Sequence, residues 1–204
     1  DGSCDIRIVE KCVSDINDYC MKRNTVRTVV VKSTVPPGTT KLLNSKCSNL
    51  DIIFSPEFLT ESNSFNDFKN QNRIILGGST RGTTNVKMMF RKAFPEIPIL
   101  KTDSDTAEMV KYFTNCYLAT KVIFANQMHE ICSKMGINYD RVVKCSVHDP
   151  RIGNTHLKVP GPDGDFGFGG HCFPKDLQAV IAFAENNNVD ADFLISAWNK
   201  NNKM

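Results

Sequence analysis

Residues 26–54 read VRTVVVKSTVPPGTTKLLNSKCSNLDIIF, and this stretch decides the fold class. Its two ends, Val26 to Val31 and Ile52 to Phe54, are short β-branched or aromatic runs that are typical of buried strands. Gly38 to Asn44, between them, follows Pro and Gly punctuation and has the pattern of a short helix. A strand, a helix and a second strand in this order predict a βα unit of a mostly parallel sheet.

The same alternation continues in both directions from this stretch. Ile74 to Leu76 and Ile97 to Leu100 are two further strand candidates, and Thr83 to Phe94 between them has helical spacing. Upstream, residues 8–20 carry an amphipathic helical pattern. We therefore predict an α/β fold in which residues 1–103 form a partial doubly wound, Rossmann-like parallel sheet.

The periodicity changes at Asp105, where apolar residues begin to recur at intervals of three and four. This pattern predicts one long central helix of about eight turns, with Asp105 and Glu108 as a capping pair and Gly136 as its stop. A helix from Tyr139 to Ser146, a Gly/Pro-rich loop and a helix from Pro174 to about Asn187 follow. Residues 104–204 should therefore form a small helical domain.

Composition excludes several classes of protein. The 204 residues are 41% hydrophobic and 23% charged, which excludes disordered and collagen-like chains. The net charge of +3 comes from interspersed charges, so neither nucleic acid nor a membrane is an expected partner. A small anionic ligand is compatible with this charge. With no signal sequence or spanning segment, and eight scattered cysteines that are best interpreted as reduced thiols, a cytoplasmic location is expected.

The strongest candidate for a reactive group lies in residues 167–176, GFGGHCFPKD. Glycines allow a backbone to approach a ligand closely, and Pro174 suits the first position of a helix. Cys172 would then lie just before a helix N-terminus, whose positive end favours a thiolate. Asp176 would lie about one turn further on, near enough to act as a base or to orient water. A lone cysteine is more often a buried thiol, but the glycines and the PKD sequence favour a nucleophile.

Four other positions suit a reactive site. Lys111 and Asn115 share one helix face and could hold an oxyanion, although a solvated surface pair is the usual alternative. Glu57 follows a strand in a loop, a usual place for a site carboxylate, although most single glutamates face solvent. Thr34 ends the strongest strand, and the carboxyl ends of strands are where doubly wound sheets bind ligands.

Two resemblances to other sites are weaker. His129-x-x-Cys132 and Cys145-x-x-His148 imitate zinc spacing, but both pairs fall in helical patterns where an interval of three merely repeats a face. We therefore expect no metal site. The glycines of residues 164–170 look like a dinucleotide fingerprint, but no strand precedes them.

Residues 169–176 resemble the GGxCxPKD signature of the UDP-glucose/GDP-mannose dehydrogenase family. Four other segments resemble motifs of this family and occur in the expected order. These segments are KSTVP at 32–36, SPEFLTE at 55–61, AEMVKYFTN at 107–115 and RIG at 151–153. Together the motifs span nearly the whole chain, so chance is a poor explanation.

The resemblance implies an NAD-dependent, four-electron oxidation of a nucleotide-sugar primary alcohol to the carboxylate, as from UDP-glucose to UDP-glucuronate. Cys172 would capture the aldehyde as a thiohemiacetal, which a second oxidation converts to a thioester that water hydrolyses. By resemblance, Lys111 and Asn115 stabilise the oxyanions, while Asp176 and Thr34 manage the catalytic water. Residues 1–103 would be the second part of a dinucleotide-binding domain.

The resemblance also implies binding residues. Glu57 would assist hydrolysis in addition to meeting the substrate. The residues expected at the nucleotide-sugar are Glu57, Phe58, Leu59, Lys111, Asn115, Arg151, Phe166, Gly167, Phe168 and Gly169. Those expected towards the NAD nicotinamide are Thr34, Glu61 and Lys175. A glycine-rich backbone suits a diphosphate because its N–H groups can face the charge.

Three alternatives stay open. Residues 159–164 look more like UDP-glucose enzymes than GDP-mannose enzymes, but a loop is a thin basis for choosing a sugar. The sequence contains neither a strand followed by G-x-G-x-x-G nor a second doubly wound domain, so we expect an excerpt of a longer enzyme that is inactive alone. The remaining alternative is a non-catalytic remnant in which the long helix acts as a dimerisation element, since its broad apolar stripe predicts a homo-oligomer.

Overall fold

The computed structural model describes residue 2, residues 4–60 and residues 63–204. These residues divide into two compact units, Cys4–Tyr112 and Phe113–Met204, and Gly2 belongs to the second. The described residues form eight helices and four strands: α1 Arg7–Lys22, β1 Arg27–Val31, α2 Thr39–Lys46, β2 Leu50–Phe54, α3 Ser64–Lys69, β3 Ile74–Gly77, α4 Thr80–Ala93, β4 Ile99–Thr102, α5 Ser104–Lys134, α6 Tyr139–Ser146, α7 Cys172–Asn186 and α8 Asp192–Asn201.

The sheet of the Cys4–Tyr112 unit has the strand order β1-β2-β3-β4. β1 and β2 are parallel, with Val29 opposite Ile52, and β3 and β4 are parallel, with Ile75 opposite Leu100. The two parallel pairs meet through one antiparallel bridge. The predicted α/β class and the mostly parallel sheet are therefore confirmed.

Helices cover both faces of this sheet. Because side chains alternate along a strand, Ile52 and Phe54 pack on one face and Ile53 on the other. The first face meets α1 and α2 through residues such as Val13 and Leu43, and the second meets α4 through Phe90. Burial on both faces explains the apolar runs Val29–Val31, Ile52–Phe54 and Ile74–Leu76 within β1, β2 and β3.

The Phe113–Met204 unit is built around the second part of α5. One cluster joins Ala119 and Ile123 of α5 to Leu177 of α7 and Ala197 of α8. A second cluster lies further along α5 and joins residues 125 and 132 to Tyr139 and Val159. The apolar residues at three-and-four spacing therefore fall on two faces of this part of α5, because Cys116 and Ile123 are buried whereas Phe113, Tyr117 and Phe124 are exposed.

Helix starts differ in detail from those predicted. Asp103, not Asp105 with Glu108, caps α5, because Asp103 Oδ1 accepts the Thr106 N–H at 2.9 Å. At the other end, Gly136 has a φ of 67° and ends α5 as predicted. Sequence analysis identified neither α3 nor α8. They are six and ten residues long, and windows this short lack a decisive period.

A helix that crosses a bilayer must be both long and apolar over most of its length. No helix within the described parts of the chain meets both requirements.

Candidate active site

Cys172 is the first residue of α7 and is exposed. The helix therefore starts two residues earlier than predicted, and Pro174 is its third residue rather than its first. Proline is tolerated there because N–H groups in the first turn have no partner within the helix. Cys172 thus lies within the helix N-terminus, where partial positive charge is concentrated.

Asp176 lies one turn beyond Cys172, and its side chain is only 1% exposed. Its Oδ2 accepts a hydrogen bond of 2.5 Å from Asn115 Nδ2 on α5, and its Oδ1 forms an ion pair with Lys175. The structure therefore unites Asn115 and Asp176, two of the predicted residues. The Lys175 ammonium is directed at the Asp176 carboxylate.

A second thiol, Cys116, lies beside Asp176 but has the opposite character. Its Sγ is 3.9 Å from the Asp176 carbonyl oxygen, and burial together with the Asp176 charge raises the pKa of Cys116 to about 12. A buried thiol that stays protonated is a poor nucleophile. Of these two cysteines, only Cys172 is placed to react.

The loop before Cys172 uses two of its N–H groups internally. Asn126 Oδ1 accepts from the Gly167 N–H at 3.1 Å, and Asn201 Oδ1 accepts from the Phe168 N–H at 2.7 Å. Gly167 and Phe168 are buried, whereas Gly169 is exposed. The N–H groups of Gly167 and Phe168 are therefore already bonded within the protein.

Within the Cys4–Tyr112 unit, two lysines converge on Glu57. Lys111, on the first part of α5, is 8% exposed and donates from Nζ to the Glu57 carbonyl oxygen at 2.5 Å. Lys32, just after β1, places its Nζ 3.3 Å from Glu57 Oε1 and 3.4 Å from the Ser55 carbonyl oxygen. Burial of Lys111 and of Asn115, which is 6% exposed, excludes the solvated surface pair considered above.

The loops after β1 and β2 carry the other candidates of this unit. Thr34 lies three residues beyond the end of β1 rather than within it, and its carbonyl oxygen accepts from Cys4 Sγ at 3.6 Å. Phe58 is half-buried under the Arg73 guanidinium, at 4.2 Å from the ring centroid. Leu59 is half-buried beside it. Glu61 lies outside the described residues.

Glu108 anchors the chain that leads from Thr34 into α2. It is fully buried, and its carboxylate accepts from the Gly38 N–H at 2.7 Å, the Thr40 N–H at 2.8 Å and the Thr40 hydroxyl at 2.6 Å. Burial raises the pKa of Glu108, while the three donors oppose that rise. Glu108 therefore caps α2 and holds the end of the loop that carries Thr34.

Arg151 and His129 each have another partner within the Phe113–Met204 unit. Arg151 is 87% exposed and pairs with Asp149 at 2.6 Å, which raises the pKa of Arg151 through their hydrogen bond. His129, from the zinc-like pattern, packs edge-on against Tyr139 with ring centroids 5.2 Å apart. Across the residues that the structure describes, no cluster of three or more His, Cys, Asp or Glu could hold a metal ion.

Sequence reasoning missed Lys32, Asn126 and Asn201, and assigned Glu108 the wrong role. Lys32 stands inside the quoted KSTVP segment, so its position beside a strand end was an available signal. Asn126 and Asn201 lie in helical patterns that also contain other polar residues. Nothing in their local sequence distinguishes them from solvent-facing asparagines.

Two family models match the chain and together cover nearly all of it. Residues 1–94 match the NAD-binding domain of the UDP-glucose/GDP-mannose dehydrogenase family, and residues 105–203 match the central domain of that family.

Individual relatives agree with this match. UDP-glucose 6-dehydrogenase YwqF of Bacillus subtilis is 35% identical over all of this chain and 46% of its own length. The solved UDP-glucose dehydrogenase of Pyrobaculum islandicum superposes with a TM-score of 0.87 at 31% identity, over all of this chain and 48% of that one. The solved GDP-mannose dehydrogenase of Pseudomonas aeruginosa superposes with a TM-score of 0.62 at 28% identity, over 98% of this chain and 47% of that one. The chain thus spans about half the length of the curated relatives it matches.

Proposed function

The chain belongs to the UDP-glucose/GDP-mannose dehydrogenase family, and from this premise we propose that it carries the chemical centre of an NAD-dependent nucleotide-sugar 6-dehydrogenase. The reaction proposed is oxidation of UDP-glucose to UDP-glucuronate through a covalent intermediate on Cys172. One observation carries the proposal. An exposed thiol at a helix N-terminus lies one turn before a buried carboxylate that is itself hydrogen-bonded to Asn115.

Cys172 acts as the nucleophile in this proposal. Its thiolate adds to the carbonyl carbon of the substrate aldehyde, and the carbonyl oxygen becomes an alkoxide. Loss of hydride from that carbon gives a thioester. Water then adds to the thioester carbon, the carbon–sulfur bond breaks, and the sulfur leaves as thiolate while the substrate becomes a carboxylate.

Lys111 and Asn115 stabilise the oxyanions of both tetrahedral stages. They lie one turn apart on α5, and one carries an ammonium while the other carries an amide N–H. Lys111 donates to the Glu57 carbonyl oxygen and Asn115 to Asp176. Donors held at low solvent exposure are already oriented, so developing negative charge gains more from them than it would in water.

Asp176, Glu57 and Thr34 manage the water in this proposal. A carboxylate can accept a proton from water as the water attacks the thioester. Glu57 has its carboxylate held by Lys32, which fixes the direction of its free lone pairs. The Thr34 hydroxyl, three residues beyond β1, can hydrogen-bond a water.

NAD is the cofactor of this family, and it supplies the acceptor for the two hydrides when bound. The groups at the carboxyl ends of β1 and β2 fit its nicotinamide end, because the Thr34 hydroxyl can hydrogen-bond a carboxamide or a ribose hydroxyl. We propose Thr34, Glu61 and Lys175 as the residues towards the nicotinamide. The described residues contribute no glycine-rich turn after a strand that would cradle the pyrophosphate.

The nucleotide-sugar is proposed to meet Phe58, Leu59, Arg151 and residues 166–169, in addition to Lys111, Asn115 and Glu57. UDP-glucose is preferred to GDP-mannose because the relative that is 35% identical is a UDP-glucose 6-dehydrogenase.

We further propose residues 1–103 as part of the dinucleotide-binding domain and residues 104–204 as the central domain. The eight free thiols favour a reducing compartment, the cytoplasm.

A hybrid enzyme tests the proposal. These 204 residues would replace the matching segment of Bacillus subtilis YwqF, and NADH formation would be measured with UDP-glucose and with GDP-mannose. We expect UDP-glucose-dependent turnover with two NADH per UDP-glucuronate, and loss of UDP-glucuronate formation in Cys172→Ala. A folded hybrid that is inactive, or a Cys172→Ala hybrid that still forms UDP-glucuronate, would overturn the proposal.

A non-catalytic dimerisation module is the second candidate function. The observation that favours it is an exposed apolar stripe along α5, which the proposed chemistry does not use. The stripe consists of Met109, Phe113, Tyr117, Phe124 and Ile131. An inactive hybrid that still associates through α5 would support this candidate instead.

A further inference from the structure

Two asparagine side chains from different helices hold the loop that precedes Cys172. Asn126 on α5 is 4% exposed and accepts from the Gly167 N–H at 3.1 Å. Asn201, the last residue of α8, accepts from the Phe168 N–H at 2.7 Å and donates to the Phe168 carbonyl oxygen at 3.0 Å. A buried backbone N–H or carbonyl that lacks a partner is costly, so these bonds decide how the loop is held.

The local geometry leaves little freedom around these bonds. Gly167 has a φ of 76°, and a Cβ at this position would lie only 2.5 Å from Asn201 Oδ1. Glycine therefore permits both the backbone conformation and the approach of the asparagine. Asn201 pairs with both polar groups of Phe168, much as a neighbouring strand would.

The Phe168 side chain connects the loop to the first turn of α7. Its ring contacts Phe173 edge-on with centroids 6.1 Å apart, and it also contacts Trp198 at 6.4 Å. Phe173 directly follows Cys172 in the helix. Only residues 169–171 separate the held part of the loop from Cys172, so a shift of Phe168 is transmitted to the start of α7 through both the chain and the ring contact.

We propose that Asn126 and Asn201 are positioning residues that fix the loop at Gly167 and Phe168, and so hold Cys172 at the N-terminus of α7. They act through the backbone and touch no reacting atom. The inference rests on the proposed function, because it assigns these asparagines to the nucleophile. It also explains why two loop N–H groups face protein acceptors rather than solvent.

Alkylation of the native chain tests the inference without requiring turnover. Asn126→Ala and Asn201→Ala would be treated with limiting iodoacetamide at neutral pH, and each cysteine would be followed by peptide mass spectrometry. We expect Cys172 to react about two- to fivefold more slowly in either variant, because a frayed first turn loses the favourable field of the helix N-terminus. The exposed Cys12 and Cys145 provide internal references whose rates should not change.

Backbone amide exchange, measured by NMR, adds a pattern that general destabilisation would not produce. Exchange of the Gly167 N–H should accelerate selectively in Asn126→Ala, and that of the Phe168 N–H in Asn201→Ala. Asn199→Ala is the matched control, since Asn199 is an exposed asparagine of the same helix α8. It should change neither amide nor the Cys172 rate.

The buried Cys116 and Cys132 report whether each variant folds. If Asn126→Ala exposes them, Asn201→Ala decides the test. Exposure in both variants would overturn the inference, because the asparagines would then stabilise the whole unit. Faster amide exchange with an unchanged Cys172 rate would also overturn it. Failure of the proposed function would be distinguishable, because it would appear as an inactive hybrid enzyme. The ratio of the Cys172 alkylation rates in variant and wild type can be measured whether or not the hybrid is active.

Discussion

Cys172 combines exposure with a helix N-terminus, and we expect it to be the most reactive of the eight cysteines. Cys145 is also exposed but lies in the last turn of α6, where the helix dipole disfavours a thiolate, and Cys12 lies in the middle of α1. Limiting iodoacetamide at neutral pH should therefore label Cys172 about two- to fivefold faster than either.

The same alkylation in urea provides the control, because unfolding removes the helix and should bring the three rates together. Faster labelling of Cys12 or Cys145 in the folded protein would remove the physical support for Cys172 as the nucleophile.

Asn115 is expected to contribute to stability as well as to chemistry. Asn115→Ala leaves the buried Asp176 carboxylate without the donor that now lies 2.5 Å away. Loss of one partner of a buried charged group costs about 1–3 kcal/mol in the free energy of unfolding. Urea denaturation should show this loss, whereas Asn199→Ala on the exposed face of α8 should stay within about 0.5 kcal/mol. Equal midpoints for the two variants would contradict the prediction.

At the scale of the element, the start of α5 should depend on pH through Asp103. The Thr106 hydroxyl and N–H lower the pKa of Asp103 to about 2, from an ordinary value of 3.8. A lowered pKa means that the cap stabilises the fold above pH 3.8 and that this contribution is lost as the pH falls towards 2.

Asp103→Ala should therefore lower the melting temperature at pH 7, and the gap to wild type should narrow between pH 5 and pH 2.5. Asp103→Asn keeps a capping side chain that does not titrate. The difference in melting temperature between Asp103→Asn and Asp103→Ala should therefore stay the same between pH 5 and pH 2.5. A gap between wild type and Asp103→Ala that does not change with pH would show that the carboxylate is not the cap.

The exposed stripe of α5 predicts association of the chain with itself. Five large apolar residues of this helix are at least 40% exposed. They are Met109, Phe113, Tyr117, Phe124 and Ile131. Because Phe113 and Tyr117 also stack, with ring centroids 6.5 Å apart, the stripe offers a continuous surface of the kind that self-complementary interfaces bury.

Light scattering at tens of micromolar protein should give a multiple of the 22.8 kDa chain mass. The double variant Phe113→Glu and Phe124→Glu should reduce the measured mass to that of a single chain. Ile8→Glu is the control, because Ile8 is 77% exposed and belongs to a different helix, α1. A strictly monomeric wild-type chain would contradict the prediction.

At the scale of the whole molecule, cofactor affinity should be low for these 204 residues alone. Their sequence contains no strand followed by G-x-G-x-x-G, the turn that places a pyrophosphate against a helix N-terminus. Calorimetric titration should therefore give a Kd for NAD above about 100 µM. Bacillus subtilis YwqF is the comparison under the same conditions, and low-micromolar binding by this chain would contradict the expectation.

Several features of the molecule were determined by the sequence alone. The β-branched runs and the three-and-four spacing predicted all four strands to within two residues and the long helix α5 to within one. The stop at Gly136 was also predictable. These features depend on neighbours within one or two turns, so local periodicity and turn chemistry suffice to specify them.

The tertiary structure alone decided how the candidate side chains are held. Glu108 reaches Gly38 across 70 positions, Asn126 reaches Gly167 across 41, and Lys32 reaches the Ser55 carbonyl across 23. A helical period marks only which face of a helix is apolar, and it does not say which distant N–H will approach a polar residue. That choice follows from packing, because a buried donor or acceptor must find its partner in whichever segment the fold brings beside it.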